Sequence, residues 1–267
     1  MGVLNRAAIA EWARPYTEAM DLPYLSIHLV SILRAMLLWW SVQLLSHGVS
    51  PKLFPRSFAN MPARTRTQWD IHVVSFTHSM VVAPLALYFW LGIDESTDRL
   101  WGYDYTLGQM YALSLGYFVW DVIVSLRYEG FAFVLHGVLG LVACILVYKP
   151  LFMFDGLGIL IWELSTPFLN IHWFLDKLHL TGSRIQFVNA LLLLLTYVGV
   201  RLLLGVYMSY SLITLIWTPT HRTLPLGYKL LYTIGLPSLN VLNYMWFFKM
   251  VRAIRKRFPA EVKEKPQ

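Results

Sequence analysis

The sequence predicts an all-α integral membrane protein with about seven transmembrane helices. Three observations carry that prediction. The run from Gly130 to Tyr148 reads GFAFVLHGVLGLVACILVY, with no Lys, Arg, Asp or Glu. At a rise of about 1.5 Å per residue, that helix crosses a hydrocarbon core of roughly 30 Å. The whole chain is 57% hydrophobic and 14% charged, against about a quarter charged in soluble domains. Eleven Trp and fifteen Tyr suit a protein with two lipid–water interfaces to anchor.

The elements follow in order. The first residues carry Arg6, Glu11, Arg14, Glu18 and Asp21 ahead of any apolar core, so no cleavable signal is expected there and the first span serves for insertion. Spans are expected at about 24–46, 69–92, 106–126, 130–148, 151–174, 185–210 and 228–248. Spans three and four are separated only by Arg127, Tyr128 and Glu129, which makes a tight antiparallel hairpin. The sixth apolar stretch runs on to Trp217, longer than a bilayer needs, so it should tilt, kink or emerge. Pro237 should kink the seventh span. No repeat or second domain is visible. The single cysteine, Cys144, lies in an apolar run and says nothing about redox compartment.

Basic residues predict the orientation. With the C-terminus in the cytosol, fourteen Lys and Arg fall in cytosolic segments: four between Lys52 and Arg66, Arg127, Lys177, Arg184, and seven from Lys249 to Lys265. Six fall on the other side, among them Arg99 and Lys149. That asymmetry predicts an N-terminus outside the cytosol, in the lumen, and a cytosolic C-terminus. The +7 net charge is thereby a topology signal, and no nucleic-acid partner is expected. The tail Lys263-Glu264-Lys265-Pro266-Gln267 has the K-x-K-x-x form read by retrieval machinery of the endoplasmic reticulum, which is an address and not an anchor.

Polar residues inside the spans mark the candidate site, because each is costly in lipid unless paired or wet. Asp121 and His136 flank the hairpin turn symmetrically and so sit at similar depth. If they face each other, Asp121 could accept a hydrogen bond from one ring nitrogen of His136 and leave the other as base or nucleophile. Gly137 and Gly140 leave room for a close helix or a lipid chain. Glu163, Pro167 and Asn170 recur at i, i+4 and i+7, on one helical face. Glu163 needs a partner, and Arg34, Arg201 and His78 are available. His172 lies near the interface, and His28, His47, His72, His179 and His221 near predicted span ends, where no site role is expected. No metal spacing, phosphate-binding glycine loop or nucleophile elbow is present.

At these residues the chain resembles the TLC-domain family of membrane proteins, which includes the ceramide synthases. The matching parts are Gly116-Tyr117-Phe118-Val119-Trp120-Asp121, the histidine at 136, and Glu163-Leu164-Ser165-Thr166-Pro167-Phe168-Leu169-Asn170-Ile171-His172-Trp173. The resemblance implies that six or more helices form a barrel around a lipid-sized cavity in a protein of the endoplasmic reticulum. It divides the chain into 1–67 (first span and basic loop), 68–255 (TLC-like domain) and 256–267 (basic tail). Ceramide synthases carry two adjacent histidines where this chain has His136-Gly137, and aspartates where it has Glu163. The resemblance therefore points to the non-synthase branch.

The expected function is binding, moving or sensing a membrane lipid or acyl chain, with a polar set of His78, Asp121, His136, Glu163, Asn170 and Arg201 in the cavity and no cofactor. The alternative is an acyl-CoA-dependent lipid acyltransferase, with acyl-CoA as co-substrate, His136 as base or acyl acceptor and Asp121 orienting it. A seven-helix receptor fits the helix count, but one cysteine leaves no disulfide between outer loops, and no mid-span lysine is present for a retinal.

Overall fold

The computed structural model describes residues 5–219 and 224–258, so His221, Lys263 and Lys265 lie outside the described residues. Every described element is helical. Helix α1 (Arg6–Ala19) starts at Asn5, whose side chain accepts from the Ala7 amide, and buries Ala10, Ala13 and Thr17. The charged N-terminal stretch gave no sign of it. Helix α2 (Leu25–Leu53) is the first span. A short α3 (Pro55–Ala59) leads to α4 (Ala63–Leu91), then α5 (Tyr105–Tyr128) and α6 (Phe131–Leu146). Asp104 caps α5 through the Leu107 amide at 2.8 Å.

Four helical stretches are long and apolar enough to cross a membrane: Leu25–Leu53, Ala63–Leu91, Tyr105–Tyr128 and Arg184–Trp217. The other predicted spans are also helical, but shorter, broken or charged at one end. Span five departs most from expectation. Residues 147–154 are not helical, yet Tyr148, Leu151 and Met153 are fully buried. Helix then proceeds as α7 (Asp155–Leu160), a 3₁₀ turn (Ile161–Ser165) and α8 (Thr166–Lys177). Pro167, in the first turn of α8, explains the break: it has no N–H to offer a preceding carbonyl. Span six is a single run interrupted in the middle: α9 (Arg184–Tyr197), a π-helical segment (Val198–Leu204) and α10 (Gly205–Trp217). Helix α11 (Leu226–Arg257) continues through Pro237.

Six spans close a ring in the order α4, α5, α6, α11, α9–α10, α7–α8 and back to α4. Helix α2 stands outside the ring against α4 and α5. It approaches α5 closely because Gly116 has no side chain: a Cβ there would stand 2.7 Å from the Met36 amide nitrogen. Two tryptophans pin the contact. Trp39 donates to the Leu113 carbonyl at 3.0 Å, and Trp120 donates to Gln43 at 2.7 Å.

The two ends of the ring differ. One carries Asp94, Glu95, Asp98 and Asp104 and is capped by the buried 147–154 segment. There Tyr111 donates to the Met153 carbonyl at 2.8 Å and Tyr148 to the Gly108 carbonyl at 3.0 Å. Ion pairs Arg99–Asp155 and Lys149–Asp21 close it. The other, basic end gathers the start of α4, the α5–α6 and α8–α9 turns and the last turns of α11.

Candidate functional site

A cavity of about 370 Å³ runs inside the ring from mid-span to the basic end, lined by residues of all six spans. Its deep end is polar. Glu163, on the 3₁₀ turn, and Arg201, on the π-helical segment, pair at 3.3 Å while only 8% and 6% exposed. Arg201 also donates to Ser165 Oγ (3.0 Å), Thr166 Oγ1 (3.0 Å), the Trp162 carbonyl (3.1 Å) and Asn243 Oδ1 of α11 (3.3 Å). The two irregular segments explain each other. The Trp162 carbonyl in the broken turn accepts from Arg201 and from Ser165 Oγ, and non-helical backbone at membrane depth is tolerated only where such partners exist. A π segment inserts one extra residue into the helix, and here that segment carries the guanidinium that supplies them. Of the partners available to Glu163, the structure selects Arg201. Arg34 is exposed on α2.

His136 and Asp121 both line the cavity, but no hydrogen bond joins them. Gly137 is the residue that faces Asp121: a Cβ there would stand 2.6 Å from Asp121 Oδ2. His136, one position earlier, is turned about 100° around the helix and packs edge-on to Trp246 of α11, ring centroids 5.5 Å apart. The symmetric spacing about the hairpin sets depth and does not set facing. Asn170 also lines the cavity. It accepts from His72 Nδ1 at 2.6 Å and donates to Ser75 at 3.2 Å, and the His72 ring stacks on Trp173 at 4.1 Å. His78 is fully buried outside the cavity lining. It stacks on Tyr117 at 3.7 Å, and neither ring nitrogen has a partner.

Two lining residues were set aside on position alone. His72 holds Asn170. His172 is buried in the wall with both ring nitrogens unpartnered. The distance of each from its span end hid them; the signal was that His72 and Ser75, at i and i+3, share the face that meets Asn170. At the mouth, Asp176 near the end of α8 accepts from Arg257 of α11, from Gln186 at 2.6 Å and from Thr181 at 3.1 Å. Burial pushes the Asp176 carboxyl up, but those hydrogen bonds, Arg257 first, outweigh it and hold it below the usual carboxylate range. Beyond the deep end, Glu163 and His136 also border a narrow apolar chamber of about 40 Å³ that reaches Tyr111, Cys144 and Leu151 toward the capped end. Among the described residues no group of three or more His, Cys, Asp or Glu is arranged to hold a metal.

Glu163 and Asn170 stand on the wall of the cavity, while Pro167 between them does not line it, and residues 68–252 match the TLC domain model. The chain belongs to the TLC domain family. An uncharacterized TLC domain-containing protein of Schizosaccharomyces pombe is 38% identical over 99% of this chain and 92% of its own length. TLC domain-containing protein 4 of Homo sapiens is 28% identical over 87% of this chain and 89% of its own. The TLC chain thus resembles proteins named for the domain and not ceramide synthases, in keeping with the single histidine at His136-Gly137. It is a multi-pass membrane protein of a lipid-related family.

Proposed function

We propose that this TLC protein binds a membrane lipid or acyl chain in the ring cavity and so takes part in lipid homeostasis, by moving or sensing that lipid. The observation that carries the reading is the cavity itself: largely apolar walls, a polar floor at Glu163–Arg201 and His136, and a mouth lined by Lys249, Arg257, Gln68 and Glu129. An amphiphile fits that pattern, because apolar lining takes the chain while a few placed polar groups orient the head. We place the basic end in the cytosol on the charge asymmetry, and the protein in the endoplasmic reticulum on the Lys263/Lys265 tail.

The experiment is extraction and mass spectrometry of lipid that co-purifies with folded protein, wild type beside Ile71→Trp, which fills the cavity from α4. Stoichiometric lipid in the wild type and its loss in the variant are expected. Lipid-free wild type, or equal lipid in both, contradicts the reading. The acyltransferase reading ranks second. His136 stands where the cavity meets the apolar chamber, which suits attack on an acyl carbonyl, but Asp121 does not orient it. Acyl-CoA consumption with lipid amines that is lost in folded His136→Ala would promote that reading.

A further inference from the structure

The apolar chamber is not sealed from the side. Five of its lining residues, Gly140, Ala143, Ile159, Tyr232 and Leu239, also line a groove on the outside of the ring between α6 and α11. This seam differs from its neighbours. On its other flank α11 is hydrogen-bonded to span six: Tyr197 donates to the Asn243 carbonyl and Asn240 donates to Ser209. Helices α5 and α6 are tied by a two-residue turn. Among the described residues no hydrogen bond joins α6 to α11, and the chain does not connect them directly. Side chains such as Leu139 and Leu236 fill the seam, and Gly235 leaves it thin: a Cβ there would make only ordinary contact with Leu139, at 3.4 Å.

The surface beside the groove says what lies against it. Val138 on α6 and Leu230, Ile234 and Val241 on α11 are 37%, 44%, 63% and 58% exposed. Apolar side chains on a membrane-spanning face are solvated by acyl chains. We propose that the α6–α11 seam is a side opening through which an acyl chain of a bilayer lipid enters the apolar chamber, so that loading needs no passage of the chain through water. This rests on the lipid reading of the cavity. Parting the seam would break dispersion contacts that lipid tails replace and would strand no polar group.

The test locks the seam reversibly. Leu139→Cys and Gly235→Cys are combined with Cys144→Ala, which removes the native thiol, and the pair is closed by oxidation in vesicles of phosphatidylcholine. The probe is phosphatidylcholine with a diazirine on one acyl chain, and photolabelled positions are mapped by mass spectrometry. In the reduced protein, label is expected inside the chamber, at Tyr111 or Leu160, and outside it, at Ile234. Oxidation should abolish the inner label alone, and reduction should restore it. Undiminished inner label in the oxidised protein overturns the side opening and leaves the cavity reading standing, with loading through the basic mouth. No inner label in either state overturns the side opening, and the cavity reading then falls only if the wild type also co-purifies without lipid. Should the cysteine pair fail to fold, Gly235→Leu fills the groove with a single side chain, and the same loss of inner label alone is expected.

Discussion

The two ends of the ring differ in how the space between the helices is filled. At the capped end the non-helical 147–154 segment is buried: Tyr111 and Tyr148 hydroxyls reach carbonyls, Arg99 and Lys149 reach carboxylates, and His28 Nδ1 beside Tyr148 has no partner. At the basic end polar side chains line a cavity, among them Asp121, His136 and His172. Asp121 and His136 do not bond to each other, and both nitrogens of His172 are orphaned. Buried polar groups left without partners are costly. What separates the ends is the space between the helices: buried chain closes the capped end, and the basic end keeps a partly polar cavity of about 370 Å³. The Arg201 clamp stands at the boundary between the two regimes.

The clamp gives the largest expected effect. Arg201→Ala strands Glu163 and the Trp162 carbonyl, and breaking one side of a buried pair costs about 3–5 kcal/mol. Thermal unfolding in detergent should show that loss. An Arg201→Met, Glu163→Leu double variant should recover a large part of it, and a double variant as unstable as the single would mean the pair is not the unit. Next comes packing. Leu157 on α7 is fully buried, and Leu157→Ala should cost about 2–5 kcal/mol. Leu169, which lines the cavity at 37% exposed, should cost under about 0.5 kcal/mol on truncation to Ala. Equal costs would erase the contrast between the ends.

The Asp176–Arg257 contact at the mouth should depend on pH. The Asp176 carboxyl is held below its usual range in the folded protein, so the folded state binds fewer protons than the unfolded one as acid is added. Its stabilisation is present above the ordinary carboxylate range and is lost as pH falls through the lowered folded value. A melting-temperature profile should steepen on the acid side in the wild type and flatten in Asp176→Asn. Parallel profiles would remove Asp176 from the account. The smallest effect is expected at His172. His172→Leu removes two unpartnered nitrogens and should be neutral to slightly stabilising for the empty protein, read by the same melts. A marked loss of stability would mean those nitrogens have partners in the folded protein.

Much of the fold was legible because lipid imposes one period and one length. Helix at each predicted span follows from an apolar run, and four of the helical stretches are long and apolar enough to cross a membrane; Glu163, Arg201 and Asn170 were visible as polar residues that lipid would not tolerate alone. What stayed hidden was facing. Depth comes from counting residues along a helix, but rotation about its axis is set by packing. Gly137 therefore took the place opposite Asp121 that spacing had offered to His136. Helix α1 was hidden by its charges, since its buried stripe is only Ala10, Ala13 and Thr17. The break in span five was half visible: Pro167 announced a bend, but the 3₁₀ turn depends on Arg201, which arrives from a π segment that sequence periodicity does not reveal.

The central claim is that the basic-end cavity is a lipid site and not a water-filled vestibule. Its most direct test is an experimental density map of the wild-type protein in phospholipid nanodiscs. The account predicts continuous elongated density along the cavity, with its polar end near Lys249 or Arg201 and a chain extending past His136. Density confined to discrete water positions, with the cavity otherwise empty, would contradict it.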